Sequence, residues 1–193
     1  MAANDPKADL RRYLQSARDA MLWKLDGLAE RDVRRPSTPT GTNLLGLVKH
    51  LAGVELGYFG ETFGRPVESP GPWYGMDADP NADMFATADE SREHVIGLYR
   101  AAWAHSDVTI ETLSLDAPGH VPWWPEGDVT LHRILVHVIA ETNRHAGHAD
   151  IVRELIDGSV GLRPGNENMP PGDAARWAEY RDQLDRIARD AGA

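Results

Sequence analysis

The amino-acid sequence predicts an all-α protein, a four-helix bundle with an additional short C-terminal helix. Five segments place apolar residues at spacings of three and four, the repeat of a helix with one buried face. No segment reads as a strand. Long connections rich in Pro and Gly follow the second and third helices, which suits a bundle of four long helices.

The first helix is expected over roughly 7–29, with Leu10, Leu14, Ala17, Met21, Leu25 and Leu28 on its buried face. Two prolines and a glycine in RPSTPTG, 35–41, then break the chain. The second helix is expected over 42–63, with Leu44, Leu47, Val48, Leu51, Val54 and Tyr58 as its apolar side. After a loop ending near Phe85, Thr87-Ala88-Asp89-Glu90 has the form of a capping box, so the third helix is expected from Thr87 to about 113. The connection SLDAPGHVPWWPEGD leads to a fourth helix over 129–157, closed by Gly158. A further loop precedes the shorter last helix, 173–190. There is no internal repeat and no linker that divides the chain, so 1–193 reads as a single domain.

Composition removes several function classes. With no cysteine, the chain has no disulfide framework, no thiolate zinc site and no thiol nucleophile of its own. Net charge is −10, and the three lysines, Lys7, Lys24 and Lys49, are scattered, which argues against nucleic acid as a partner. No run approaches the roughly 18 apolar residues of a membrane span, and MAANDPKADLRRYL has no signal-peptide core, so a cytoplasmic location is expected.

The fourth helix breaks its own pattern. Its buried stripe reads Leu131, Ile134, Val138, Glu141, His145, His148, Val152 and Leu155, with three ligand-capable residues where apolar ones are due. Such groups are costly to bury unless paired or coordinated. Glu141 and His145, four apart, project from one face about a turn from each other. On the second helix His50 lies among Leu47, Leu51 and Val54, so it too can face the interior. Two His and one Glu would form an open site suited to Zn²⁺ and also to Ni²⁺, Mn²⁺ or Fe²⁺. The spacing alone equally allows an intrahelical Glu141–His145 pair and a hydrogen-bonded His50.

LLGLVKHLAGVE at 44–55 and LVHVIAETNRHAGHADIVREL at 135–155 resemble the DinB-like metal-binding helical superfamily, above all its actinobacterial branch of mycothiol-dependent transferases and isomerase. The resemblance covers nearly the whole chain. It implies three protein ligands around one divalent ion, falling on His50, Glu141 and His145. Many relatives have a third His where this chain has Glu141; the mycothiol-dependent isomerase is similar in having a Glu there. His148 stands where relatives have a polar residue without a ligand role, and it reads as a proton shuttle, a fourth ligand, a second partner of the site or a core histidine. His137, four before Glu141, falls beside the stripe and outside the site.

The resemblance implies a metal-dependent S-transferase in which mycothiol or a related small thiol attacks an electrophilic small molecule, and a homodimer. Trp123 and Trp124, just before the fourth helix, would wall the substrate or plug the end of the bundle, and Trp73 and Tyr74 carry the same ambiguity. Glu55, five after His50, would accept a hydrogen bond from a ligand or point to water. Two other functions use the same residues: a metal-dependent hydrolase with bound water as nucleophile, and a non-catalytic metal-binding stress-response protein. The missing Glu-x-x-His pairs and the missing His-Glu-x-x-His argue against a di-iron bundle and a zinc protease.

Overall fold

The computed structural model describes residues 5–68, 70–75 and 77–192; the first four residues, Ser69 and Met76 in the long loop, and Ala193 lie outside them. The chain is mainly helical and divides into two compact units, Met1–Ser159 and Val160–Ala193. No helix is long and apolar enough to cross a membrane among the described residues.

Helix α1, Pro6–Trp23, starts where Asp5 accepts hydrogen bonds from the Lys7 and Ala8 N–H groups, with Pro6 fixing the first turn. It is shorter than the sequence predicts. Beyond Trp23 the chain unwinds, and the Arg153 guanidinium collects the carbonyls of Trp23, Lys24 and Asp26 at 3.3, 3.0 and 2.9 Å. That cation replaces the missing helical donors. A short helix, α2 (Glu30–Arg34), follows the turn.

Helix α3, Leu44–Glu55, is capped by Asn43 and continues into a π turn, Leu56–Gly60, and a 3-10 turn, Glu61–Phe63. The expected extent is right but the helix is not uniform. Side-chain hydroxyls meet carbonyls along the widened turn: Thr109 donates to the Phe59 carbonyl at 2.8 Å, Thr62 to Gly57 at 3.1 Å and Ser106 to Glu55 at 3.4 Å. Two of these three donors, Ser106 and Thr109, sit on the neighbouring helix Arg92–Thr112, so tertiary packing holds the irregularity in place.

Helix α4, Arg92–Thr112, begins five residues later than Thr87, with Ser91 as its cap. Only half of the expected capping box forms: Glu90 Oε2 accepts from the Thr87 N–H at 2.8 Å, inside a turn. The carbonyls of Ala86, Thr87 and Glu90 are drawn to Arg34, which takes them out of a helical ladder. The next connection contains an antiparallel pair, β1 (Pro118–His120) and β2 (Asp128–Thr130), that the sequence did not reveal. Three residues per strand are too few for alternation to show.

Helix α5, Leu131–Asp157, runs from a Thr130 cap to Gly158 in the left-handed conformation. Its buried side drifts away from the predicted stripe, because a straight helix turns about 100° per residue and accumulates roughly −120° between positions 131 and 155. Leu155 is accordingly exposed while Arg153 is buried. α1 packs on α5, and α3 contacts both α4 and α5. Beneath them Arg18 is locked to Glu55, its Nε and Nη2 each 2.6 Å from a different carboxylate oxygen, with Asp107 at 2.8 Å on Nη1. Burial alone would lower the Arg18 pKa; the two carboxylates outweigh it and raise it. In the second unit, α6 (Ala174–Ala191) is capped by Asp173 and brings Trp177 and Tyr180 together.

Replacing Glu55 by Ala leaves the buried Arg18 guanidinium with Asp107 as its one remaining carboxylate and Nε and Nη2 without acceptors, and is expected to cost about 3 kcal/mol in urea unfolding, far more than an exposed Glu→Ala control. Asp157 grips Arg153 and its pKa falls to about 2, chiefly through that hydrogen bond. A carboxylate depressed in the folded state stabilises above its unfolded pKa and loses that effect as pH falls toward its folded one. Asp157→Asn should therefore lower thermal stability relative to wild type at pH 7, and the difference should vanish between about pH 4 and pH 2 in paired melts.

Candidate metal centre

α3 and α5 bring His50, Glu141 and His145 into one group whose ligand atoms all lie within 4.8 Å of one another. Glu141 Oε1 is 3.0 Å from His145 Nε2 and 3.9 Å from His50 Nε2. Bonds of about 2.0–2.2 Å to one ion place neighbouring donors roughly 3–3.5 Å apart in a tetrahedron, so only small side-chain rotations separate this arrangement from a coordinated one. The donor set, two imidazoles and a carboxylate, fits a divalent transition metal. His145 is buried and Glu141 and His50 are half-buried. Burial and the neighbouring His50 lower the His145 pKa against the pull of Glu141, keeping the imidazole neutral with a lone pair to give.

The residue that orients His50 is Asp83, which the sequence did not single out. Its Oδ2 lies 2.7 Å from His50 Nδ1, so the ring donates there and turns Nε2 toward Glu141. Burial opposes ionisation of Asp83, but the hydrogen bond and charge of His50 outweigh it and hold the carboxyl below its ordinary value. A whole strip of loop is pinned to α3 to bring Asp83 there. Asn43 donates to the Met84 carbonyl at 3.0 Å, and Lys49 reaches the Phe85 carbonyl at 3.0 Å and Glu90 at 2.8 Å. Gly46 makes the approach possible, since a Cβ there would stand 1.8 Å from the Met84 carbonyl oxygen.

Glu55 lies elsewhere. Both its oxygens are taken by Arg18, so it accepts nothing from His50, and Asp83 fills the orienting place instead.

A cavity of about 530 Å³ opens beside the triad, lined by His50 and Glu141 together with Val54, Tyr58, Glu61, Tyr74, Trp123 and His137 among others. Trp123 thus faces the cavity, resting against Gly57, where a Cβ would come within 3.0 Å of its ring. Trp124 does not line it; with Tyr58 and His137 it forms the aromatic cluster behind, at centroid distances of 5.7 and 4.9 Å. Trp73 is buried in the core beside Gly53, and Tyr74 reaches the cavity. His148 stacks edge-on against His145 at 5.4 Å and is not among the lining residues. His137, expected outside the site, lines it. The fourfold spacing 137, 141, 145 along α5 was the available signal. Burial lowers the His137 pKa, with Glu141 opposing and Arg133 assisting, which favours the neutral ring.

A sequence model of the family described as mycothiol-S-transferase matches residues 9–158. The chain belongs to that family. The match spans every residue of the triad, Asp83 and the cavity, all within the first unit. A solved structure described as the conserved protein of locus from Enterococcus faecalis is 17% identical. It superposes with a TM-score of 0.57, over 81% of this chain and 99% of that one, a likeness of fold. No curated protein matches. Two of the three donors, His50 and Glu141, stand in the cavity wall, and His145 is buried behind them.

Mass spectrometry of the purified protein should find about one divalent ion per chain, with His145→Ala losing it and Asp83→Asn binding about ten- to hundredfold more weakly. Wild type that takes up no Zn²⁺, Ni²⁺, Mn²⁺ or Fe²⁺ would rule the centre out.

Proposed function

We propose that this chain is a divalent-metal-dependent S-transferase, a DinB-like four-helix bundle built on α1, α3, α4 and α5, that joins mycothiol to an electrophilic small molecule. The observation that carries the reading is a three-donor centre opening into a cavity large enough for two reactants, in a family described as mycothiol-S-transferase. Zinc suits the donor set best, with Ni, Mn or Fe as alternatives. The absence of cysteine fits a nucleophilic sulfur that arrives with the substrate.

His50, Glu141 and His145 would hold a divalent ion, which when bound would supply positive charge to favour the thiolate form of the substrate. The protein's own groups do the rest. Asp83 fixes the tautomer and aim of His50. His137, neutral and in the cavity wall, accepts the proton the thiol gives up. Tyr58 and Val54, in the cavity wall, present an apolar surface to the electrophile and exclude water from it. A carbon–sulfur bond then forms while a leaving group departs with its electron pair. With an activated alkene, His137 instead returns the proton to the adjacent carbon. We place the reaction in the cytoplasm, where small thiols are kept reduced, and take a homodimer as the working assembly.

Metal-loaded protein, mycothiol and a chromogenic nitroaryl chloride should give thioether faster than the uncatalysed reaction. The rate should fall on the order of a hundredfold or more in His145→Ala or after chelation. Metal-dependent ester hydrolysis that ignores added thiol would instead assign the site to a hydrolase.

A further inference from the structure

The cavity has a second polar group besides the metal centre. His50, Val54, Gly57, Tyr58 and Glu61 line it from one continuous stretch of chain, α3 and its π and 3-10 extension. Eleven residues at about 1.5 Å each put Glu61 roughly 16 Å along the helix axis from His50. There Glu61 Oε1 accepts a hydrogen bond from the Tyr74 hydroxyl at 2.7 Å, and Oε2 has no hydrogen-bond partner among the described residues. Burial, then the hydrogen bond and charge of Glu61, raise the Tyr74 pKa and keep it a phenol.

This end of the cavity therefore offers acceptors: two carboxylate oxygens, and a phenol oxygen whose proton is already committed. No Lys or Arg lines the cavity among the described residues, so nothing there balances the carboxylate. The Trp123 ring stands between the two ends, seated on Gly57, 39% exposed and available to a ligand's face. Hydroxyl donors suit a lone carboxylate, and the C–H face of a sugar or cyclitol ring suits an indole. A carboxylate-bearing ligand would meet only repulsion at Glu61.

We propose that Glu61, Tyr74 and Trp123 form a subsite for the uncharged, hydroxyl-rich tail of the thiol, and that Glu61 excludes thiols whose tails carry carboxylates. This rests on the thiol-transfer reading of the metal centre and adds to it the part of the cavity that selects the thiol. The sulfur reaches the centre at His50 while the hydroxylated rings extend along α3 toward Glu61. Glu61 is a binding residue in this arrangement and takes no part in the bond-forming step.

The test is calorimetric binding of S-methyl mycothiol, a thioether that cannot react, to metal-loaded wild type, Glu61→Gln and Tyr74→Phe, with the uncharged methylamide of N-acetyl-S-methylcysteine as the tail-free control. Glu61→Gln should weaken the mycothiol thioether at least about tenfold and leave the control within about twofold. Tyr74→Phe should act in the same direction more weakly. S-methyl glutathione, which carries carboxylates, should bind wild type more weakly than the mycothiol thioether and gain affinity in Glu61→Gln. Unchanged melting temperatures would show that the variants are folded.

Equal losses for both thioethers, no loss for either, or no detectable binding of the mycothiol thioether to wild type would overturn the subsite. So would glucosaminyl-inositol, the tail with a free ammonium, binding about tenfold tighter than its N-acetylated form, since that describes a cation site. Tail-dependent binding without turnover would keep the subsite and remove the transferase reading. Turnover with mycothiol untouched by Glu61→Gln would do the reverse.

Discussion

Because both oxygens of Glu55 are held by one guanidinium at 2.6 Å, α3 cannot rotate about its axis without leaving that carboxylate unpaired in the core. Arg18 belongs to α1 and also grips Asp107 of α4, so three helices are fixed by one cation. Five residues separate Glu55 from His50, about 140° around a helix, which sets His50 on a different side from the ion pair. The aim of His50, and of the cavity face that continues to Glu61, is therefore fixed from the opposite side of α3. Such a pair adds less to net stability than well-packed apolar residues can; what it supplies here is a unique rotation.

The other side of α3 is organised by backbone rather than by charge. Gly46 lets the Met84 carbonyl come close, and Asn43, Lys49 and His50 each hold part of the strip from Asp83 to Phe85 or the turn beyond it. A loop with little regular structure thereby delivers a carboxylate to an imidazole with the precision of a helix. The cost of ordering such a loop is offset at several points, which lets one residue of it act in a site.

Polar groups in the cavity are distributed rather than pooled. The imidazoles of His50 and His145 and the Glu141 carboxylate gather where charge on an ion can balance them, while Glu61 sits farther along with only a phenol as partner. Between them lies aromatic surface from Tyr58 and Trp123. A single cavity thus has a cluster of metal-ligand donors at one place, aromatic surface beside it and a carboxylate–phenol pair farther along.

Periodicity alone determined the helical class and the main helices. Those features arise from burying one face of each segment, a property that neighbouring residues in the chain encode. The same pattern exposed Glu141 and His145, since a ligand on a buried face interrupts apolar spacing, and the resemblance to mycothiol-dependent proteins joined His50 to them. Where α1 stops, where α4 starts and why α3 widens were decided by tertiary partners: Arg153, Arg34, and Ser106 with Thr109. Asp83, the Arg18 partner of Glu55 and the Glu61–Tyr74 pair also came only from the fold. Asp83 lies 33 residues from His50, and Arg18 lies 37 from Glu55. Contacts across such separations leave no local period, because the intervening chain, not the spacing, determines whether the two groups meet.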